Sequence, residues 1–264
     1  MEFDAQTTKY SASNAYLAAL CAQLAYKNEG EIKDEIKKQI PNWELNENNF
    51  HFFDRVETQG FIMGNDEMIV LAFRGTEPSK IQDWLTDLQF MQCKGPSGVN
   101  VHSGFYEGLL VVWEAVKDKI TELRQQEQSI LLTGHSLGAA LATLATAQLK
   151  EDMDIIANGL YTFGSPRVGG KDFREYFNNS FADRAFRLVN NNDAVTRFPP
   201  RINGYAHTGQ FLYFDTDGDL HQEISFWDEF KESVKGIAED VGKIGLDMIK
   251  DHDMEKYKNY VLQN

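Results

Sequence analysis

Long apolar runs are missing from this 264-residue chain: no stretch approaches the ~18 apolar residues that cross a bilayer. The N-terminal run Met-Glu-Phe-Asp-Ala-Gln carries acids where a secretory leader needs a basic start and an apolar core. No signal peptide is therefore expected, which fits a cytoplasmic chain or the mature form of a secreted one. Cysteine is sparse too. Cys21 and Cys93 are the only two, which excludes a disulfide framework. With Cys21 on the apolar face of a predicted helix, two free thiols are expected. Positive charge is outweighed, 26 Lys and Arg against 40 Asp and Glu, for a formal net charge of −14. Nucleic acid and anionic membrane would both repel such a chain, so neither is expected as a main partner; uncharged substrates and interfaces fit.

Apolar residues make up 42% of the chain, enough for one substantial core. Periodicity predicts helices over 11–26, 31–39, 103–126, 137–149, 171–178 and 253–262. In the first, Leu17, Leu20, Cys21 and Leu24 share an apolar face. In the third, Leu109, Val112, Trp113, Val116, Ile120 and Leu123 do so. A long amphipathic helix, whole or broken near Gly242 or Gly245, is predicted over 225–249, with a stripe from Trp227 to Met248. Short apolar runs predict strands at 61–63, 68–73, 130–132, 160–163, 185–189 and 211–214. The first two form a hairpin around Gly64-Asn65-Asp66. Asp215-Thr216-Asp217-Gly218-Asp219 lacks the spacing of a calcium loop and reads as a hairpin turn. Strands alternating with crossover helices imply an α/β fold: a mostly parallel central sheet, helices on both faces, an antiparallel hairpin at one edge. A single domain over 1–264 is expected.

The most informative stretch is Gly134-His135-Ser136-Leu137-Gly138. It stands between an apolar strand and an Ala-rich helix, the G-x-S-x-G pattern of a nucleophile elbow. Such a turn holds its central residue in a strained conformation, and glycines two before and two after leave room for it. Ser136 would then stand at a helix N-terminus, where free N–H groups favour developing negative charge. The backbone N–H of Leu137 is a natural oxyanion donor.

A serine hydroxyl needs a base, and the base an orienting acid. On a doubly wound hydrolase sheet the chain order is Ser, acid, His. Asp193 fits the acid, ending the polar turn Asn190-Asn191-Asn192-Asp193 after a strand. A plain Asx-turn would look similar. Asp172 and Asp183 are placed less well. Of the histidines after Asp193, His207 precedes a strand and His221 follows the acidic turn. His252 lies between the predicted tail helices. Position alone leaves His207 and His252 nearly level, tilted slightly to His252.

From about Met68 onward the chain resembles the class 3 lipases, the family of the filamentous-fungal triacylglycerol lipases. The resemblance rests on Ala72-Phe73-Arg74-Gly75-Thr76, on 81–88 and on Val101-His102-Ser103-Gly104-Phe105. It continues through 133–138, Tyr161-Thr162-Phe163-Gly164-Ser165-Pro166-Arg167-Val168-Gly169, 189–199 and the Asp-His-x-x-x-Tyr run from Asp251 to Tyr257. It implies an α/β-hydrolase fold with Ser136 as nucleophile, Asp193 as orienting acid and His252 as base. Thr76 joins Leu137 in the oxyanion hole, and a lid spans about 77–90. Within it Ile81, Trp84, Leu85 and Leu88 fall at i, i+3, i+4 and i+7, a pattern that periodicity alone assigns to a surface helix on the core. The secreted fungal enzymes carry several disulfides and this chain only two cysteines, so a bacterial or intracellular branch is expected. The implied activity is acylglycerol hydrolysis, with no cofactor or metal. A phospholipase A1, a soluble-ester (feruloyl-type) esterase and a catalytically silent lipid-binding protein are the alternatives.

Overall fold

The computed structural model describes residues 3–222 and 250–264; the tail helix expected over 225–249 lies outside them. An eight-stranded sheet comprises β1 (Phe50–Arg55), β2 (Thr58–Gly64), β3 (Met68–Phe73), β6 (Ser129–His135), β7 (Gly159–Phe163), β9 (Ala185–Asn190), β11 (Gln210–Phe214) and β12 (Leu220–His221), side by side in that order. β3, β6, β7, β9 and β11 run parallel, while β1–β2–β3 and β11–β12 pair antiparallel. The expected edge hairpin is thus the inner part of a three-strand meander. β4 (Gln92–Lys94), β5 (Asn100–His102), β8 (Gly169–Gly170) and β10 (Tyr205–Ala206) form a second, small antiparallel sheet.

Alternation along the strands builds two cores. From β3, Met68, Val70 and Ala72 face one core, while Ile69, Leu71 and Phe73 face the other. The first core is covered by α1 (Ala12–Leu24), α2 (Glu29–Gln39) and α7 (Met254–Gln263). The second is covered by α4 (Ser103–Leu123), α5 (Leu137–Met153) and α6 (Lys171–Phe181). α1 departs from the one-faced helix expected of it. Ala15, Ala18, Ala19 and Ala22 are as buried as Leu17, Leu20 and Cys21. The reason is that α1 lies between the sheet and α7, so its small residues are in contact on both sides. Cys21 is buried and Cys93 half-buried, both as free thiols.

Register fixes where function can sit. Phe73 lies opposite Gly134, His135 opposite Phe163, and Phe163 opposite Leu188. The segments that follow β3, β6, β7 and β9 therefore leave the sheet at one end, the carboxyl end of its parallel strands. Open α/β sheets bind their ligands there. Asp215 to Asp219 forms the expected hairpin turn: Asp215 Oδ1 accepts the N–H groups of Asp217 and Asp219, each at 3.0 Å.

Candidate active site

Ser136 ends β6 and opens α5 with φ 59° and ψ −128°, a left-handed conformation that side chains rarely adopt. Its N–H donates to the Phe163 carbonyl at 3.0 Å, which fastens the turn to β7. A Cβ on Gly134 would collide with the Gly138 backbone, and one on Gly138 would collide with the backbone of Phe73 and Arg74, so each glycine of the pattern is fixed by its own close approach. Ser136 has no exposed surface, and its Oγ has no hydrogen-bond partner among the described residues.

The expected acid and base meet each other, and His252 stacks on His135, the residue before Ser136. His252 Nδ1 lies 2.7 Å from Asp193 Oδ2, with both side chains fully buried. An ionised carboxylate only accepts, so the Nδ1 proton points at Asp193 and Nε2 is left as the basic nitrogen. His252 Nε2, like Ser136 Oγ, is buried and unpaired among the described residues. Gly164, at φ +58°, makes room for the pair. A Cβ there would stand 2.6 Å from Asp193 Oδ2 and 2.7 Å from the His252 ring.

Two supporting features exceed what spacing discloses. Tyr257 O–H donates to Asp193 Oδ2 at 2.6 Å and accepts the Asn190 N–H at 2.9 Å, while the Val195 N–H donates to Asp193 Oδ1 at 2.9 Å. Burial first, then the Asp193 charge, pushes the Tyr257 phenol well above its usual range, so it stays a donor. The three asparagines of the turn act as a latch. Asn190 Nδ2 donates to the Asp251 carbonyl at 2.8 Å, Asn191 Nδ2 to Asp251 Oδ2 at 3.1 Å, and the Asn192 N–H to the same oxygen at 3.4 Å. The loop carrying the acid is thereby tied to the loop carrying the base. In sequence the turn resembles a local Asx-turn because its partners lie about sixty residues away.

The competing candidates go elsewhere. His207 Nε2 donates to the Thr196 carbonyl at 2.8 Å, and His221 pairs with Asp215 at 2.7 Å on the far hairpin. Asp172 accepts from Asn100 at 2.8 Å, and Asp183 pairs with Arg184 on the surface. Thr76 is brought to the elbow: its neighbour Gly75 lies so close that a Cβ there would stand 3.0 Å from Ser136 Cβ. Arg74 braces this segment, bonding Gln59 at 2.7 Å and pairing with Glu77. Thr76 Oγ1 is buried without a partner among the described residues and caps no helix; the following 3₁₀ turn has Glu77 at its N-cap and no side-chain cap bond. Leu137 begins α5, so its N–H belongs to the first turn, which has no intrahelical acceptor.

The segment 81–88 forms α3 (Ile81–Asp87) and Leu88. Ile81 and Leu85 are buried against Val195 and Phe198, just beyond Asp193, while the half-buried Trp84 stacks on Phe105 at 6.2 Å. Half of the stripe, Ile81 and Leu85, is thus buried, against the segment that follows Asp193, while Trp84 and Leu88 are half-buried.

Two more histidines, the buried His135 and the half-buried His207, are held neutral. His135 stacks on His252 at 4.3 Å and bonds Tyr26 O–H at 2.8 Å. Burial first, then His252, pushes it well below 6.5; burial first, then Arg187 and Arg167, does the same to His207. Below pH 6.5 the unfolded chain binds protons at these sites and the folded one does not, so stability is complete above 6.5 and falls with pH. The two together are expected to make the protein less stable at about pH 5.5 than at about pH 7.5. Urea unfolding at the two pH values checks this; equal midpoints would refute it.

Comparison with known proteins gives this arrangement a lineage. Residues 70–203, just over half the chain, match the family described as lipase (class 3). The secreted mono- and diacylglycerol lipase 1 of Fusarium solani is 33% identical over 187 residues, covering 69% of this chain and 54% of its own. The triacylglycerol lipase OBL1 of Arabidopsis thaliana is 27% identical over 255 residues, covering 76% and 49%. The chain thus spans about half the length of these relatives. In fold it superimposes on the Rhizomucor miehei triacylglyceride lipase with a TM-score of 0.66, covering 91% of each chain at 24% identity. With the family's segment running from β3 through the loop of Asp193, this chain belongs to the class 3 lipases.

Proposed function

We propose that the chain is a serine carboxylic-ester hydrolase acting on acylglycerols. The observation that carries this is the buried Asp193–His252 pair, its Nε2 unpaired among the described residues and its ring stacked on His135, the residue before the strained, unpaired Ser136. In the proposed cycle Ser136 Oγ attacks the ester carbonyl as His252 Nε2 takes its proton. The oxyanion is held by the N–H groups of Leu137 and Thr76, with the Thr76 hydroxyl as a further donor. Such donors each contribute about 100- to 1000-fold in rate. His252 returns the proton to the departing alcohol, then draws one from water as its oxygen attacks the acyl-enzyme, and hands that proton to Ser136 Oγ as the bond to the acyl carbon breaks and the fatty acid leaves. Asp193 stays ionised throughout and stabilises the imidazolium. Hydrolysis of p-nitrophenyl esters from two to sixteen carbons tests the substrate class. A long-chain maximum supports a lipase, a short-chain maximum an esterase. No turnover by folded protein would favour a silent lipid-binding protein.

The segment 77–90 is proposed as a lid. Ser136 has no exposed surface, so a substrate reaches it only if something moves. α3 is short, has no side-chain cap and is anchored by only two buried residues, which supports assigning it the motion. At an oil–water interface its stripe of Ile81, Trp84, Leu85 and Leu88 would turn to lipid. Trp84→Ser is expected to lower activity on emulsified ester several-fold more than on dissolved ester; equal changes on both would sink the lid. A bacterial or intracellular branch is proposed from the sparse cysteines, and activity unaffected by a cytosol-like thiol reductant is its expected correlate.

A further inference from the structure

Behind the acid's loop lies a small cavity lined by Arg187, Thr143, Thr162, Ser165, His207 and Thr208. Arg187 stands on β9 between Phe186 and Leu188, which face the first core, so alternation sends its side chain to the opposite face. Only 7% of it is exposed, yet no carboxylate among the described residues pairs with it. Its Nε is buried without a hydrogen-bond partner among the described residues, and its guanidinium lies over the face of the Phe211 ring, 4.7 Å from the centroid. A ring face attracts a cation but does not neutralise it.

The charges around it make matters worse. Arg187 is pushed down to about 9 by burial first, then by Arg167 and Arg201. Arg167, only 8% exposed, is pushed down to about 10 by burial first, then by Arg201 and Arg197. A chain of net charge −14 has thus gathered four arginines here, and among the described residues Asp193 acts on Arg197 while no carboxylate is seen to act on Arg187 or Arg167. Buried charges are ordinarily paired, and a guanidinium does not lose its proton. A compensating anion would neutralise the charge, which a water molecule in the same space would not.

Its size is limited. The cavity offers about 10 Å³ to a guest's centre, room for one water-sized particle. Phosphate, acetate and a fatty-acid carboxylate are too large, whereas a chloride ion, little wider than water, is not. The geometry points to a chloride-binding site at Arg187, with the hydroxyl of Thr208 on its wall as a further donor; the Thr162 hydroxyl donates instead to the Phe186 carbonyl at 3.5 Å. It is coupled to the active site by a short path. His207, which lines the cavity, bonds the Thr196 carbonyl at 2.8 Å, and Thr196 Oγ1 donates to the Asp193 carbonyl at 2.8 Å. An ion there steadies the turn that carries the acid.

The test is thermal melting of the full chain in sodium chloride against sodium gluconate at equal ionic strength, joined to crystals grown in bromide. Wild type is expected to melt on the order of 3 °C higher in chloride, along a saturating curve, with bromide substituting. Arg187→Met is expected to melt identically in both salts, and an anomalous bromide peak should stand in the cavity. Superimposed wild-type curves, or a difference that grows linearly without saturation, overturn the proposal. So does chloride dependence that survives in Arg187→Met. A bromide peak without any solution effect means binding at crystal concentration only, which also overturns it. If Arg187→Met does not fold, the saturating wild-type shift together with the bromide peak decides.

Discussion

Ser136→Ala is expected to lower kcat on a p-nitrophenyl ester by about 10⁴- to 10⁶-fold, while the protein stays folded. The size follows from removing the only group that can form the acyl-enzyme, leaving whatever the Leu137 and Thr76 donors can do for direct attack by water. Ser136→Gly should be as inactive and, in addition, more stable than wild type. Ser136 holds φ 59° and ψ −128°, which costs a side-chain-bearing residue on the order of 1–3 kcal/mol and glycine little. Room also exists for the change, because Ser136 Oγ satisfies no partner in the fold and its loss orphans nothing. The two substitutions therefore separate chemistry from strain. Equal activity loss with a higher melting temperature for the glycine variant is the expected pattern. A serine retained for packing would instead lose stability in both variants and little rate in either.

Much of this was legible in the sequence because the informative segments are local. A strand–turn–helix with glycines two before and two after Ser136 has few other uses, and apolar runs such as 130–132 and 160–163 are strands by length and flanking turns alone. What escaped is non-local. α1 carries a one-faced pattern on paper, but alanine is small enough to be buried anywhere, so only the arrival of α7 across 230 residues shows that both sides are covered. β8, β10 and β12 are two residues long, too short to have a period. Asn190, Asn191 and Asn192 look like a turn's ordinary composition until Asp251 closes on them. Tyr257 could be placed in a motif, yet its bond to Asp193 exists only after β9 and α7 have met. Arg187 is the clearest case, an ordinary residue in a strand whose lack of a carboxylate partner among the described residues is a property of the assembled fold.

His252→Ala is expected to cost about 10⁴- to 10⁶-fold in kcat, and His207→Ala less than about 10-fold, although sequence position leaves the two histidines nearly level. The structure offers three reasons. His252 has its Nδ1 on a carboxylate, which fixes the tautomer and stabilises the cation that base catalysis creates; His207 has its Nε2 on a carbonyl and arginines around it, which disfavour that cation. His252 also has a buried nitrogen free beside the elbow, stacked over the neighbouring His135, whereas His207 lies behind the acid's loop. Finally, the scaffold tolerates the loss of His252. Asp193 keeps its bonds from Tyr257 and from the Val195 N–H, so the carboxylate is not stranded and the variant should fold. Removing His207 takes away the partner of the Thr196 carbonyl and is expected to lower stability by about 1–3 kcal/mol. The signature is a crossing of effects: activity lost with modest destabilisation in one variant, stability lost with activity retained in the other. Measured kcat and urea midpoints for both decide it, and a large kcat loss in His207→Ala at a temperature where it is fully folded would return the base to that residue.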